Sequence, residues 1–204
     1  SKDEEINDNR LISFLEDYCQ SSSEVVEKIK VIKNAHVMII GLGSVGSLMA
    51  VYLAKIGVNN FILVDNDKVD ISNLHRQYYF EDHISMAKVD ALSAELKKIN
   101  PNSNCFKIKD YLTDAFFDKS DLPKNINLII NCADEPSVDY TSRIISEYAM
   151  RRNIPDIIGG GYNLHLTLVG QTIIPFNTAC FQCFTKKLNE LNLIELNNVR
   201  KLHR

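Results

Sequence analysis

No stretch of this 204-residue chain reaches the roughly 18 consecutive apolar residues that a membrane-spanning helix requires. Nor is there a dense run of Lys or Arg, and the formal net charge is −3, which argues against a general nucleic-acid or anionic-surface binder while leaving specific contacts open. The opening residues, SKDEEINDNR, lack the basic-then-apolar order of a secretory signal, so a cytoplasmic location is the expectation. Five cysteines, an odd number at irregular spacing, do not form a disulfide framework, and reduced thiols are expected. Internal repeats and low-complexity segments are absent as well. What the chain does have is 45% hydrophobic side chains, enough for one good core with a small appendage.

The apolar pattern divides the chain. Leu11, Phe14, Leu15 and Tyr18 fall at helical spacing, and Val25, Val26, Ile29 and Ile32 do so again after the polar break at Gln20–Ser23. This predicts an N-terminal helical segment over residues 1–33 ahead of a nucleotide-binding domain over 34–204. Within that domain, apolar and β-branched runs at His36–Ile40, Phe61–Val64, Cys105–Ile108 and Leu128–Asn131 alternate with helical patterns at Ser47–Lys55, Met86–Ile99 and Ser137–Arg151. Such alternation predicts an α/β, Rossmann-like, mostly parallel sheet flanked by helices. Past Pro155 the texture changes to short strands around the glycine bend Gly159–Gly161, then His165 to Ile174, which predicts antiparallel strands added toward the C-terminus.

Between the first strand and the first helix lies Gly41-Leu-Gly43-Ser-Val-Gly46. Gly41 permits a tight turn, Gly43 allows the backbone to approach a phosphate, and Gly46 lets the following helix pack closely. The helix N-terminus then presents N–H groups to an anion. This is no Walker loop, because Ser47 and Leu48 stand where Lys and a hydroxyl residue belong. Asp65, about 20 residues onward, is placed to accept the hydrogen bonds of a ribose diol, a feature shared by NAD and ATP enzymes. Asn73, Arg76 and Lys88 favour ATP. A dinucleotide's pyrophosphate is already served by the helix N-terminus, whereas a triphosphate with a departing pyrophosphate demands additional cations.

In order, the stretches GLGSVGS, LVDNDKVDISNLHRQ, SMAKVDAL, NCADEP and PFNTACFQC cover Lys33 to Cys183. Together they resemble the ubiquitin-activating E1, ThiF, MoeB and HesA superfamily of adenylating enzymes. The resemblance implies ATP-dependent adenylation of a carboxylate, with pyrophosphate release. Gly41, Gly43, Ser44 and Gly46 would form the nucleotide loop, Asp65 would hold the ribose, and Asp67 would support it. Asn73, Arg76 and Lys88 would contact the phosphates, Gln77 would steady Arg76, and Asp134 would carry Mg²⁺. Arg76, Lys88 and Asp134 are thus the expected catalytic residues. The implied substrate is the C-terminus of a small ubiquitin-like or sulfur-carrier protein, or of a short peptide as in microcin-like maturation, and the implied assembly is a homodimer.

The chain also departs from that pattern. Ser85 stands where the family usually has glycine, and Glu135 where asparagine usually follows the magnesium aspartate. Arg10 is the one N-terminal arginine available for a role that relatives fill from a partner subunit, and its surroundings match poorly. Cys180 and Cys183 have the C-x-x-C spacing of two zinc ligands. The second pair that completes the site in relatives lies beyond the residues given, has been lost, or comes from another chain, and two ordinary thiols is the alternative. Cys19, Cys105 and Cys132 read as packing residues, and no cysteine is nominated as a thioester nucleophile. His36, His75, His83, His165 and His203 show no metal-ligand spacing. Two other function classes remain open: a nicotinamide-dependent oxidoreductase, which leaves the cations unexplained, and a non-catalytic nucleotide-binding module.

Overall fold

A computed structural model of the chain describes residues 10–118, 122–158, 162–163, 166–167 and 170–191. The bend Gly159–Gly161, together with His165 and His203, lies outside them. Residues 10–16 are helical (α1), followed by α2 at Ser22–Asn34, β1 at His36–Ile40, α3 at Ser44–Lys55 and β2 at Asn60–Val64. Then come α4 at Lys88–Ile99, β3 at Asn104–Ile108, β4 at Leu128–Asn131, α5 at Val138–Arg152 and β5 at Asp156–Ile158. The short strands β6 (Tyr162–Asn163), β7 (Leu166–Thr167) and β8 (Gln171–Ile173) precede α6 at Phe181–Leu191.

The polar break at Gln20–Ser23 is a helix start. Ser21 accepts the Glu24 N–H at 3.2 Å while Glu24 reaches back to the Gln20 N–H at 2.9 Å, satisfying donors that a bare helix end leaves unpaired. Ser137 does the same for α5, accepting from the Tyr140 N–H at 3.1 Å, and Asn153 at φ +55° closes that helix.

The main sheet runs β3-β2-β1-β4-β5-β8, parallel through β5 with β8 antiparallel at its edge. Its faces bury two apolar clusters. Val37, Ile39, Phe61 and Leu63 pack with residues of α3 and α4, and Met38, Ile40, Ile62 and Val64 pack with residues of α5. A parallel sheet covered on both faces explains why β1 and β2 read as continuous apolar runs. Each of these fully buried side chains contributes about 1.5–3 kcal/mol. From β1 the chain passes through α3 to β2 on one side, and β4 lies on the other. The strand order therefore reverses beside β1, and a crevice opens at the carboxyl ends of β1 and β4.

The antiparallel strands expected toward the C-terminus are present: β8 pairs with β5 at the edge of the main sheet, while β7 pairs with β6 in a separate two-stranded sheet instead of extending the main one. Helix α6, which starts just after Cys180, was not expected, because C-x-x-C alone carries no helical period.

Asp156 lies in an otherwise apolar row of the sheet, level with Ile129 and Ile173, and is fully buried. The Ser146 hydroxyl donates to its Oδ2 at 2.7 Å, and Oδ1 has no partner among the described residues. Burial pushes its carboxyl from 3.8 up to about 6, against the smaller opposing pull of Ser146. Since the folded state holds this proton more tightly than the unfolded chain, the group costs nothing below about pH 4. As pH rises through about 6 it costs up to about 3 kcal/mol. Urea unfolding at about pH 4 and about pH 7 is expected to show the stability of Asp156→Asn rising by that amount relative to the parent.

Candidate nucleotide site

The crevice beside β1 is a cleft of about 430 Å³ lined by Gly41, Gly43, Ser44, Asp65, Asp67, Asn73, Arg76, Gln77, Lys88 and Asp134 among others. Nine positions expected from sequence to meet the nucleotide, at loops, strand ends and helix starts, thus converge with Asp134. Gly46 does not line it. A Cβ there would lie 1.9 Å from the Gly41 carbonyl oxygen, so Gly46 supports the turn from beneath. Gly41, at φ +86°, would bring a Cβ to 2.6 Å of the Ala133 amide nitrogen, which ties the turn to the end of β4. Gly43 is different: at its open cleft-side position the nearest atom to an added Cβ is Gln77 Nε2 at 4.0 Å. Gly43 caps α3 without a side chain, and no acid occupies the first turn, leaving the positive end of the helix to the cleft.

Asp65 organises the rim. Its Oδ2 accepts the Leu42 N–H at 2.7 Å and its Oδ1 the Asp67 N–H at 2.8 Å, which joins the glycine turn to the next loop. In that loop Asp70 and Asn73 cap each other. Asp70 accepts the Ser72 N–H at 2.8 Å and Asn73 Oδ1 accepts the Asp70 N–H at 3.0 Å, leaving the Asn73 amide NH₂ as a donor in the cleft. Arg76 is exposed; its Nη1 donates to the Ser72 carbonyl at 2.9 Å and lies 3.3 Å from His75 Nε2. Among the described residues no carboxylate pairs with it. Lys88 does have a partner, Asp67 Oδ2 at 2.8 Å, and is 6% exposed at the start of α4. A buried cation at the positive end of a helix is unfavourable by itself and is suited to an incoming anion. Gln77 Oε1 is buried without a partner.

Several residues that hold this geometry were missed in the sequence. The Tyr79 hydroxyl donates to the Leu42 carbonyl at 2.9 Å, and Ser47 Oγ accepts the Tyr78 N–H at 3.0 Å, pinning the crossover loop to the glycine turn. Burial, then the charges of Asp65 and Asp67, pushes the Tyr79 hydroxyl upward, so it remains a donor. Buried Asn131 donates to Thr141 and Ser142 and accepts the Ala133 N–H, each at 3.0 Å, which sets the turn leading to Asp134. Asp110, Tyr111 and Leu112 form a further wall. Arg143 and Tyr140 brace this segment through Asp114 at 2.7 and 2.8 Å, and together they hold the Asp114 carboxyl below its usual range. The available signal for that wall was its position after β3, on the same edge of the sheet as the other loops.

Ser85 adopts φ +72°, and its N–H donates to the Val69 carbonyl at 2.9 Å just before Lys88. A left-handed conformation costs a residue with a Cβ roughly 1–2 kcal/mol, which is a physical reason for the glycine that the family resemblance leads one to expect here. Ser85→Gly is expected to raise stability by about 1 kcal/mol, as read from denaturant midpoints.

Asp134 and Glu135 both line the cleft, and no ion pair engages either among the described residues. A hard carboxylate facing a phosphate site fits Mg²⁺, which binds through one or two carboxylates and substrate phosphates. Zinc fits less well. Cys180 and Cys183 lie away from the cleft at the start of α6, with the Cys183 N–H 3.5 Å from Cys180 Sγ. No cluster of three metal-ligating side chains occurs among the described residues. All five cysteines are free, and burial pushes the Cys132 thiol up to about 12, so it stays protonated. Arg10 is exposed on α1 and does not line the cleft. No helix among the described residues is long and apolar enough to cross a membrane.

The fold and the cleft define an α/β nucleotide-binding domain with its site at a switch point between parallel strands. The chain belongs to the ThiF family, whose model matches residues 20–201. It is 32% identical over 158 residues to the adenylyltransferase and sulfurtransferase UBA4 of Saccharomyces cerevisiae, a match covering 75% of this chain and 34% of that protein. A second relative, uba4 of Aspergillus niger, is 36% identical over 120 residues, or 58% and 24% of the two chains. Among solved structures, E. coli MccB with AMPCPP and MccA matches at a TM-score of 0.69 and 30% identity, over 83% of this chain and 50% of that one. MccB has also been solved with ATP. PaaA, at 24% identity and a TM-score of 0.74, shares the fold. The chain spans about a third of the length of the curated relatives it matches, and about half of MccB.

Proposed function

We propose that this chain adenylates the C-terminal carboxylate of a peptide or of a small ubiquitin-like or sulfur-carrier protein, using ATP and releasing pyrophosphate. One observation carries the reading: among the described residues, an exposed arginine without a carboxylate partner, a buried lysine and a helix N-terminus with no side-chain cap meet, in a single cleft, an aspartate engaged in no ion pair. The names of the relatives support it, since UBA4 is an adenylyltransferase and MccB structures hold ATP or AMPCPP. The likeness to a microcin C7 biosynthetic enzyme favours a short peptide as substrate. In line with the family resemblance, we infer a homodimer whose nucleotide-binding domain is residues 34–204.

The substrate carboxylate oxygen attacks the α-phosphorus, the bond from that phosphorus to the bridging oxygen breaks, and pyrophosphate leaves with the bond electrons. The protein's part is to position and neutralise. Asp65 orients the ribose, and the N-terminus of α3 with Asn73 meets the phosphates. Arg76 and Lys88 offset the charge that grows on the α-phosphoryl oxygens and the leaving group. Asp134 would hold Mg²⁺, which when bound would supply charge neutralisation for the phosphates. Lys88 must exchange Asp67 for phosphate, and Asp67, whose side chain is 56% exposed, returns readily to water.

The test is ATP–pyrophosphate exchange in the presence of candidate peptides and carrier proteins. Exchange is expected with a free C-terminus and not with its amide. A chain that binds Mg·ATP but exchanges with no carboxylate is a binding module, and one that turns over NAD(H) is an oxidoreductase.

A further inference from the structure

The crossover that carries Arg76 and Lys88 is held on its outer side by a buried histidine that phosphate chemistry does not use. His83 is 4% exposed, and its neighbour Glu95, on α4, is 6% exposed. His83 Nδ1 accepts the Phe80 N–H at 3.1 Å, so that nitrogen carries no proton and the ring hydrogen sits on Nε2, 3.3 Å from Glu95 Oε1. The same Glu95 oxygen takes Lys98 Nζ at 2.5 Å, and Asp82 Oδ1, on the histidine's own turn, stands 3.9 Å from Nε2. The Tyr79 and Phe80 rings pack around the imidazole at 6.3 and 5.7 Å between centroids. Glu95 and Lys98 from α4, Asp82 from the turn and the Tyr79 hydroxyl are therefore the ionisable groups near it.

The location matters more than the pairing. His83 lies between Tyr79, whose hydroxyl grips the glycine turn, and Lys88, which lines the cleft. Glu95 is on the same helix as Lys88, about two turns on. The His83 carbonyl accepts the Met86 N–H at 2.9 Å, so the histidine also shapes the approach to Lys88. The clamp thus fastens the middle of a long irregular loop to the helix that supplies one cation, while Tyr79 fastens it to the turn that receives the phosphates.

We propose that His83, held between the Phe80 N–H and Glu95, is a positioning residue for the phosphate-binding crossover, and that this clamp keeps Arg76 and Lys88 directed at the nucleotide. The proposal rests on the nucleotide-binding reading of the cleft. Without the imidazole both contacts are lost, residues 80–87 loosen, and affinity for the triphosphate falls. His83→Asn can present Oδ1 to the Phe80 N–H but ends short of Glu95, so it keeps one of the two contacts.

Calorimetric titration of the whole chain with Mg·ATP and with AMP tests this. His83→Ala is expected to bind Mg·ATP about tenfold more weakly than the parent and AMP within about twofold of it. His83→Asn, with one contact left, is expected to bind Mg·ATP with an affinity between the two. Mg·ATP binding by His83→Ala within about twofold of the parent, or equal losses for Mg·ATP and AMP, overturns the proposal. If His83→Ala does not fold, the same comparison in His83→Asn decides. A parent with no affinity for Mg·ATP overturns the nucleotide reading itself.

Discussion

Arg76→Ala is expected to lower the rate of ATP–pyrophosphate exchange by about 10²–10³-fold, the loss seen when one preorganised charge or donor is taken from a developing oxyanion. It should do so without touching stability, because Arg76 is exposed and, among the described residues, its Nη1 is tied to the Ser72 carbonyl and the His75 ring. Lys88→Ala is expected to match that kinetic loss and to add a modest structural change. Lys88 is buried, and its removal frees Asp67, whose exposed carboxylate is solvated at a cost of about 1 kcal/mol or less. Exchange kinetics and thermal unfolding of the two variants therefore separate the roles. An Arg76→Ala enzyme as fast as the parent would remove that residue from the phosphate site.

The second large effect divides the three glycines by what stands over them. An added Cβ at Gly46 would sit 1.9 Å from the Gly41 carbonyl oxygen, and one at Gly41 would sit 2.6 Å from the Ala133 amide at φ +86°. Both neighbours are backbone and have no rotamer with which to give way. Gly41→Ala and Gly46→Ala are thus expected to lose about 3 kcal/mol or more of stability. Gly43→Ala meets nothing nearer than 4.0 Å and should unfold with the parent. Its methyl group would occupy the space a phosphate needs, so Mg·ATP affinity should fall about tenfold or more. Denaturant unfolding beside calorimetry reads both quantities. Equal destabilisation by all three substitutions would show the turn to be structural throughout.

These residues also show how much could be read from the chain itself. The strands at His36–Ile40 and Leu128–Asn131 emerge with the bounds that their apolar runs predict, since burial on both faces of a parallel sheet leaves a continuous signal. Helix α3 begins at Ser44, earlier than the Ser47 its apolar period suggests, because Gly43 serves as the cap. Gly41, Gly43, Asp65, Arg76, Lys88 and Asp134 were legible as site candidates because their spacing follows the glycine turn and the family motifs. Tyr79, Asn131, His83 and Glu95 were not. Each acts through long-range or loop-closing contacts, and no local period marks these. The Lys88–Asp67 pair was hidden for a related reason: both residues were expected to serve the nucleotide, and neither as the other's partner. Ser85 stood out as a departure from glycine, but only its positive φ explains what the departure costs.

The account depends on a cleft built for a triphosphate with a metal rather than for a dinucleotide. Calorimetry of the chain with Mg·ATP, AMP and NAD measures this directly. Mg·ATP is expected to bind at least about tenfold more tightly than either of the others, with the preference lost in Arg76→Ala. Equal affinity for all three, or a preference for NAD that survives Arg76→Ala, would contradict it.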